Sequence, residues 1–350
     1  MRFASQLVQL GWDSDFEDRF NRLPASACVP ARVVADYGAE YLVHDGVRSR
    51  RATAGRRVRQ EAGAPAVGDW VAVMGTEPVD AIHGVVERRT VFSRKAAAIE
   101  TKEQVLAANV DVAFVIAAAT DVNPRRIERY LTIAWQSGAV PVVLITKADM
   151  AASPGDLREE LEAVSMGTPV IVTSAMTGDG VGGIARRLLP ARTGVLLGPS
   201  GAGKSTLINR LVGSELMRTR AIDETSGEGR HMTSHRQLVQ LPGGGMIIDT
   251  PGLREAQLWQ GEDALANVFE DIEALALACR FTDCAHDTEP GCVIKSALDA
   301  GTLDANRYRS YRKLQRELRA VAARTDARIR SEERKKWKQV STAAKSRTRP

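Results

Sequence analysis

Several features that would assign a chain to a membrane or to the secretory route are missing from this sequence. No apolar stretch approaches the roughly 20 residues that a membrane-spanning helix needs. The first 20 residues are acidic and include Trp12, unlike a secretory signal peptide. There is no internal repeat. We therefore expect a cytoplasmic protein without membrane contact, and 350 residues suffice for two or three domains.

Cysteine is also scarce, with four in the whole chain. Three of them lie with His286 in the spacing C-x4-C-x-H-x5-C. In a large chain without a signal peptide, this clustering favours metal binding over disulfides. Three thiolates and one imidazole complete a tetrahedral structural site, which leaves no position for a catalytic water. The sequence therefore predicts one Zn²⁺ on Cys279, Cys284, His286 and Cys292, and an inert buried thiol at Cys28.

The net charge of +5 is unevenly distributed. Residues 324–350 hold ten Lys or Arg against three Asp or Glu, which indicates a polyanionic partner or, alternatively, a solvated helix end. A second basic segment, predicted to be a loop, has no acid among its arginines and needs phosphates or acidic side chains to neutralise it. We expect RNA contact there, with a plain solvated loop as the alternative. Its arginines are Arg48, Arg50, Arg51, Arg56, Arg57 and Arg59.

The residue pattern predicts five segments along the chain. Residues 1–29 form a partly helical arm, and residues 30–97 contain short alternating strands typical of an OB-type or an SH3-like barrel. Residues 98–255 alternate strands and helices, as in a doubly wound α/β domain. Residues 256–322 are mostly helical around the Cys/His cluster, and residues 323–350 form the basic tail.

The segment GPSGAGKS satisfies the phosphate-binding pattern GxxxxGK[ST] between an apolar strand and a helix. Its glycines let backbone N–H groups turn toward phosphates at a helix N-terminus. Lys204 would reach the β- and γ-phosphates, and the Ser205 hydroxyl would bind Mg²⁺. The predicted nucleotide-binding residues of this loop are Gly198, Pro199, Ser200, Gly201, Ala202, Gly203, Lys204, Ser205 and Thr206.

A second phosphate motif, DTPG, follows the apolar residues MII. Asp249 at the strand end would hold Mg²⁺ through water, and the Gly252 amide would meet the γ-phosphate. The position forty-odd residues after a phosphate loop makes this motif a γ-phosphate sensor rather than a common turn.

Two further motifs predict recognition of guanine. TKAD resembles the NKxD base motif, and a carboxylate at Asp149 can accept from both N1–H and the exocyclic amine of guanine, which adenine does not offer. Lys147 would pack its stem over the base, and Thr146 replaces the usual Asn with the loss of one amide contact. Ser174 and Ala175 would form the second guanine loop, where a backbone amide contacts the base oxygen.

The order of these motifs is unusual. Small GTPases carry the phosphate loop first, whereas here both base motifs precede it. A circular permutation moves the chain ends without moving the site. We therefore expect a permuted GTPase that binds GTP and GDP with Mg²⁺, and whose DTPG segment could transmit γ-phosphate loss to the C-terminal domain.

With these motifs the chain resembles the ribosome small-subunit-dependent GTPase A family, from about residue 30 to residue 311. The resemblance rests on VGDWV, TKAD, TSA, GPSGAGKST, GRHMTSH, DTPGLRE and the Cys/His spacing. It implies an N-terminal OB-fold, a permuted GTPase domain and a zinc-binding C-terminal domain. It also implies a role in late maturation of the small ribosomal subunit, with that subunit and its rRNA as partners. Thr146 and Met232 depart from the residues frequent in the family, and we expect a monomer.

The residue that positions the attacking water is not evident, because Leu253 stands where many GTPases carry Gln. By resemblance to the family motif, Thr233 would be the Mg²⁺-binding switch threonine. His231 is then a candidate for orienting the water, with RNA or solvent contact as an equal alternative. Arg230 could offset γ-phosphate charge, and Lys204 completes the predicted catalytic residues.

Two other functions compete with a GTPase stimulated by the small subunit. One is an RNA-binding assembly chaperone in which GTP only gates affinity. The other is an ATP-using kinase with the same phosphate loop, which TKAD argues against.

Overall fold

The computed structural model describes residues 4–24, 27–75, 79–95, 103–165, 167–213, 236–249, 269–281, 284–286 and 289–325. The chain forms two compact units. The first comprises Met1–Arg94 and Glu103–Ala256, and the second comprises Lys95–Lys102 and Gln257–Pro350. Within the described ranges, no helix is both long enough and apolar enough to span a bilayer.

The N-terminal arm contains two helices and packs against the barrel. Its helices are α1 (Ala4–Val8) and α2 (Ser14–Asn21). The Asp13 carboxylate caps α2 by accepting from the Phe16 amide at 3.1 Å. Between the helices, the Trp12 ring meets the buried Trp70 ring edge-on at 4.7 Å between centroids. The arm therefore closes over an apolar part of the barrel.

Five strands close into a barrel, and one helix connects two of them. In space the strands follow the order β1-β2-β3-β5-β4, a β1–β4 pairing closes the barrel, and β3 runs parallel to β5. This is the OB arrangement, so the structure decides between the two barrels that the strand pattern allowed. The elements are β1 (Val29–Asp36), β2 (Tyr41–His44), β3 (Ser49–Ala54), α3 (Arg56–Glu61), β4 (Trp70–Met74) and β5 (Asp80–Val85).

The prediction of an arginine-rich loop is wrong for five of the six arginines, because they lie in β3 and α3, whereas Arg48 lies just before β3. Ala52 and Ala54 alternate into the barrel core, and Val58 buries the inner face of α3. In the sequence, the charged residues between these small apolar residues make the strand and helix patterns hard to recognise. The prediction for Cys28 also needs correction, since its thiol is half-buried rather than buried, although burial raises its pKa.

The α/β part of the first unit contains a six-stranded sheet, which confirms the predicted doubly wound domain. Its spatial order is β10-β9-β8-β11-β13-β12, with β12 antiparallel and the others parallel. The strands are β8 (Val112–Ala118), β9 (Val140–Thr146), β10 (Val170–Val172), β11 (Thr193–Leu197), β12 (Arg236–Gln240) and β13 (Met246–Asp249). The helices are α4 (Pro124–Ser137), α5 (Pro154–Val164), α6 (Val181–Arg187) and α7 (Lys204–Val212). A separate pair, β6 (Val91–Lys95) and β7 (Glu103–Ala108), leads into it from the barrel.

The described part of the second unit is helical, as expected. It contains α8 (Glu270–Leu277), α9 (Val293–Asp299) and α10 (Ala305–Thr325). The buried Phe269 ring meets Tyr311 of α10 edge-on at 5.5 Å between centroids, and Tyr311 donates a hydrogen bond to Glu273. This contact fastens α10 to α8. The basic tail beyond residue 325 lies outside the described residues.

Candidate nucleotide site and metal centre

The predicted phosphate loop lies where the central strand β11 ends and α7 begins. Gly203, which caps α7, has φ +85°, a backbone conformation that favours glycine and lets the loop lead directly into the helix. The Lys204 ammonium donates to the Gly198 carbonyl at 2.8 Å and also to the Pro199 carbonyl. The lysine therefore spans the loop beside the amides of the helix N-terminus, an arrangement that fits a polyphosphate with its Mg²⁺.

The first residue of the predicted base motif, Thr146, connects this motif to the phosphate loop. Thr146 is only 4% exposed, and its hydroxyl donates to the Ala202 carbonyl at 2.7 Å. The side chain therefore bonds to the protein rather than facing the base. The expected loss of one amide contact is partly offset, because the threonine hydroxyl joins the two loops itself.

Asp149 is held by the second predicted guanine loop. The buried Ser174 hydroxyl donates to the Asp149 carboxylate at 2.5 Å and accepts from the amides of Met176 and Thr177, each at 3.2 Å. Asp149 itself is exposed and so is open to a ligand. The sequence suggested a backbone role for Ser174 and Ala175, but it did not reveal that the Ser174 side chain orients the carboxylate.

Lys147, the second residue of the base motif, lies beside the phosphate loop. Its backbone is left-handed, with φ 55°, and it starts a short 3-10 helix, Ala148–Met150, that carries Asp149. A Cβ built on Gly203 would lie 3.9 Å from the Lys147 side chain. The guanine and phosphate motifs therefore occupy one place, at the carboxyl ends of β9, β10 and β11.

Asp249 ends β13, the strand that runs parallel to β11 on its other side. Its carboxylate is thus at the same edge of the sheet as the phosphate loop, where the prediction of a Mg²⁺ ligand requires it. His231, Thr233 and Gly252 lie outside the described residues, so their predicted roles stay predictions.

The four predicted zinc ligands come together in the second unit. Their donor atoms all lie within 4.8 Å of one another. The His286 Nδ1 atom is 3.6 Å from the Cys279 sulfur and 3.5 Å from the Cys292 sulfur. The amide of Lys295, in the first turn of α9, donates to the Cys292 sulfur at 3.4 Å. The donor set and its compactness fit a closed structural zinc site.

The acid–base properties of this cluster also fit a metal. Loss of hydration and the neighbouring thiols raise the pKa of Cys284 to about 11, because a second or third thiolate here is repelled by the others. Burial, followed by the charge of Arg312, lowers the pKa of His286, which keeps the imidazole neutral as a ligand must be. A divalent cation would remove the penalty on the thiolates.

The strand order explains the order of the motifs. The phosphate-loop strand β11 lies in the sheet between β8 and β13, and the strands β8, β9 and β10 on one side of it all come earlier in the chain. The base motifs follow β9 and β10 and so precede the phosphate loop in the chain, yet the described residues of these motifs meet at one edge of the sheet. This is a circularly permuted arrangement of a GTPase site.

Comparisons with known proteins agree with this geometry. The sequence profile of the RsgA GTPase family matches residues 85–259. The small ribosomal subunit biogenesis GTPase RsgA of Opitutus terrae is 43% identical, and the match covers 98% of each chain. The protein of the same name from Streptomyces avermitilis is 42% identical over 97% of this chain and 93% of its own.

Solved structures give the same result. YjeQ from Thermotoga maritima is 25% identical with a TM-score of 0.61, covering 83% of this chain and 98% of that chain. YloQ, described as a circularly permuted GTPase, shares the fold with a TM-score of 0.60 at 22% identity, covering 85% of this chain and 97% of its own. The permuted site and the near full-length relatives together establish that this chain belongs to the RsgA GTPase family.

Proposed function

We propose that this chain is a GTPase that acts in biogenesis of the small ribosomal subunit, in its late maturation, and is stimulated by that subunit. The observation that carries the nucleotide assignment is the hydrogen bond between Thr146 and Ala202, which joins a guanine motif to a phosphate loop. The small-subunit assignment follows the names of relatives that match nearly the whole chain. Such work would take place in the cytoplasm, with the protein as a monomer.

In this proposal each motif has a separate task in binding GTP. Asp149, oriented by Ser174, accepts from the guanine N1–H and amine, which excludes adenine. The loop amides and Lys204 would hold the phosphates, and Ser205 and Asp249 would hold Mg²⁺, which would supply neutralisation of phosphate charge. Catalysis then depends on placing a water in line with the γ-phosphate.

The water-positioning step is assigned to residues known only from sequence. Thr233 would bind Mg²⁺ and place His231 near the γ-phosphate, where a neutral imidazole can orient water. Leu253 has no group for this task. Lys204 then contributes by stabilising the charge that develops on the transferred phosphoryl group.

The barrel is proposed to contact rRNA phosphates, through fewer arginines than the sequence suggested. Arg50 is only 19% exposed in its side chain and forms ion pairs with Asp45 at 3.2 Å and Asp80 at 2.9 Å, so it stabilises the barrel. Arg51, 70% exposed, projects from β3, and Arg56 and Arg57 lie exposed at the start of α3. These three, with the exposed Arg48, form what we name the barrel arginine face.

GTP turnover measured with purified small subunits, large subunits and neither tests the proposal. We expect only small subunits to stimulate GTP turnover, and we expect no turnover of ATP. The Lys204→Ala variant should lose GTP turnover without unfolding. Equal turnover in all three conditions would support the chaperone alternative, in which nucleotide gates RNA affinity. Turnover of ATP as fast as GTP would refute the guanine site.

The barrel arginine face has its own test. The double variant Arg56→Ala, Arg57→Ala should weaken small-subunit binding. A plot of the logarithm of the binding constant against the logarithm of the salt concentration should become less steep, by roughly 0.7–0.9 for each of about two lost phosphate contacts. Arg158→Ala, which removes an exposed arginine of α5 paired with Glu162, is the matched control. An unchanged salt slope in the double variant would mean that the face is solvated and contacts no RNA.

A further inference from the structure

The barrel and the nucleotide-binding sheet share one continuous sheet of 11 strands. The connection is between β1 of the barrel and β12 of the α/β part, which pair antiparallel. Among the residues that the structure describes, two pairs make this connection, Ala35 with Gln237 and Asp36 with Arg236. Because β12 also pairs with β13, it lies directly between the barrel and the strand that ends at Asp249.

A single cross-strand row runs through this connection. Gln237 is opposite both Ala35 and Asp249, and on the barrel side Ala35 is opposite Leu42, which is opposite Arg51. The row therefore joins an arginine of the barrel arginine face to the carboxylate predicted to hold Mg²⁺. Four strand spacings of about 4.8 Å separate its ends, roughly 19 Å.

An ion pair lies next to the point where this row crosses from β1 to β12. The Arg236 guanidinium lies 3.5 Å from the Asp36 carboxylate, and the two side chains are 14% and 20% exposed. Because the pair is mostly buried, salt screens it less than a surface pair. Asp36 also accepts from the Gly38 amide at 2.8 Å, which holds the turn between β1 and β2.

Other contacts between the barrel and the α/β part lie away from the end of β1, where β1 pairs with β12. The buried Arg32, in the middle of β1, donates to the Thr193 hydroxyl at 2.8 Å, at the start of β11. Arg32 also contacts the Met246 sulfur at 3.5 Å, at the start of β13. A Cβ on Gly68 would lie 2.1 Å from the Ala108 carbonyl, so the two backbones are in close contact.

We propose that the Asp36–Arg236 pair positions β12, and through the row Arg51–Leu42–Ala35–Gln237–Asp249 couples RNA contact on the barrel to the geometry of Asp249. The inference rests on the proposed function, since it names the route by which the small subunit accelerates turnover. Asp36 and Arg236 are positioning residues, and neither touches the nucleotide in this scheme. Loss of the pair loosens the two-residue connection, so RNA contact on the barrel no longer reaches Asp249.

Single-turnover GTP hydrolysis, with and without small subunits, tests this in Asp36→Asn, Arg236→Gln and the double variant. Asn keeps the acceptor for the Gly38 amide and removes only the charge. We expect stimulated turnover to fall about tenfold in each variant, since small misplacements cost this much or more, with unstimulated turnover and subunit affinity within about twofold of wild type. The double variant should lose no more than either single variant, because the pair acts as one unit. Glu162→Gln, which breaks the exposed Arg158–Glu162 pair, is the matched control and should keep full stimulation.

Amide hydrogen exchange in the GDP-bound protein gives a readout that needs no subunit. Residues 236–240 should exchange faster in Asp36→Asn than in wild type or Glu162→Gln. Full stimulation in both single variants would overturn the inference, as would unchanged exchange at these residues or additive losses in the double variant. If small subunits do not stimulate the wild-type protein, the proposed function is refuted instead. The exchange experiment would then still show whether the Asp36–Arg236 pair positions β12.

Discussion

Replacement of Thr146 by Val tests whether the base motif and the phosphate loop act as one unit. Valine keeps the β-branched shape in this buried position but cannot donate to the Ala202 carbonyl, which now accepts at 2.7 Å. Removing one partner of a buried hydrogen bond costs about 1–3 kcal/mol. If about 1–2 kcal/mol of this appears in binding, affinity falls roughly 5- to 30-fold, since 1.4 kcal/mol corresponds to a factor of ten.

The loss should be the same for GTP and GDP, because the affected carbonyl belongs to the loop proposed to hold phosphates common to both. Selectivity against adenine should not change, since Ser174 holds Asp149 independently. Titration of fluorescent GTP and GDP analogues measures both quantities, and Thr146→Ser, which keeps the hydroxyl, is the control. The reasoning is refuted if the Val variant binds as tightly as wild type, or if the Ser variant loses as much as Val.

Three further outcomes are expected. Asp149→Asn should shift preference from guanine toward xanthine nucleotides, measured by competition, and an unchanged preference would exclude this carboxylate from base recognition. Freshly purified protein should contain one zinc per chain, and Cys284→Ala should speed hydrogen exchange in residues 270–300; absence of zinc by metal analysis would contradict the site. His231→Ala should bind GTP and subunits normally but lose stimulated turnover roughly 10²-fold, whereas His235→Ala should lose much less; a normal rate in His231→Ala would assign the water to rRNA or to Arg230.

The sequence predicted most of the α/β part because its signals are local. Apolar runs such as residues 112–118 form buried parallel strands, and helix-ending glycines such as Gly138 lie where the helices stop. The motif residues lie at strand ends for the same reason, since each motif extends a recognisable apolar run. Cysteine and histidine spacing likewise predicted the cluster that the structure brings together.

The barrel was less predictable, because in this segment the many charges indicate a solvated loop whereas the small apolar residues pack in the core. Ala52 and Ala54 are small, so their alternation into the core carries little signal beside the flanking arginines. Whether Arg50 faces RNA or the acids depends on the folded barrel, which brings Asp80 from a later strand to 2.9 Å from Arg50, beside the nearby Asp45. No local pattern contains that information.

The sequence by itself determined the chemistry of the candidate nucleotide and metal sites, since motif residues and their spacing specify which groups are present. Tertiary structure decided which groups support one another: Thr146 with Ala202, Ser174 with Asp149, and Asp36 with Arg236. It also decided that Arg32 is buried at the joint, where burial lowers its pKa to about 10. These contacts join residues from 25 to 200 positions apart, and only strand pairing and packing in three dimensions bring such groups within hydrogen-bonding distance.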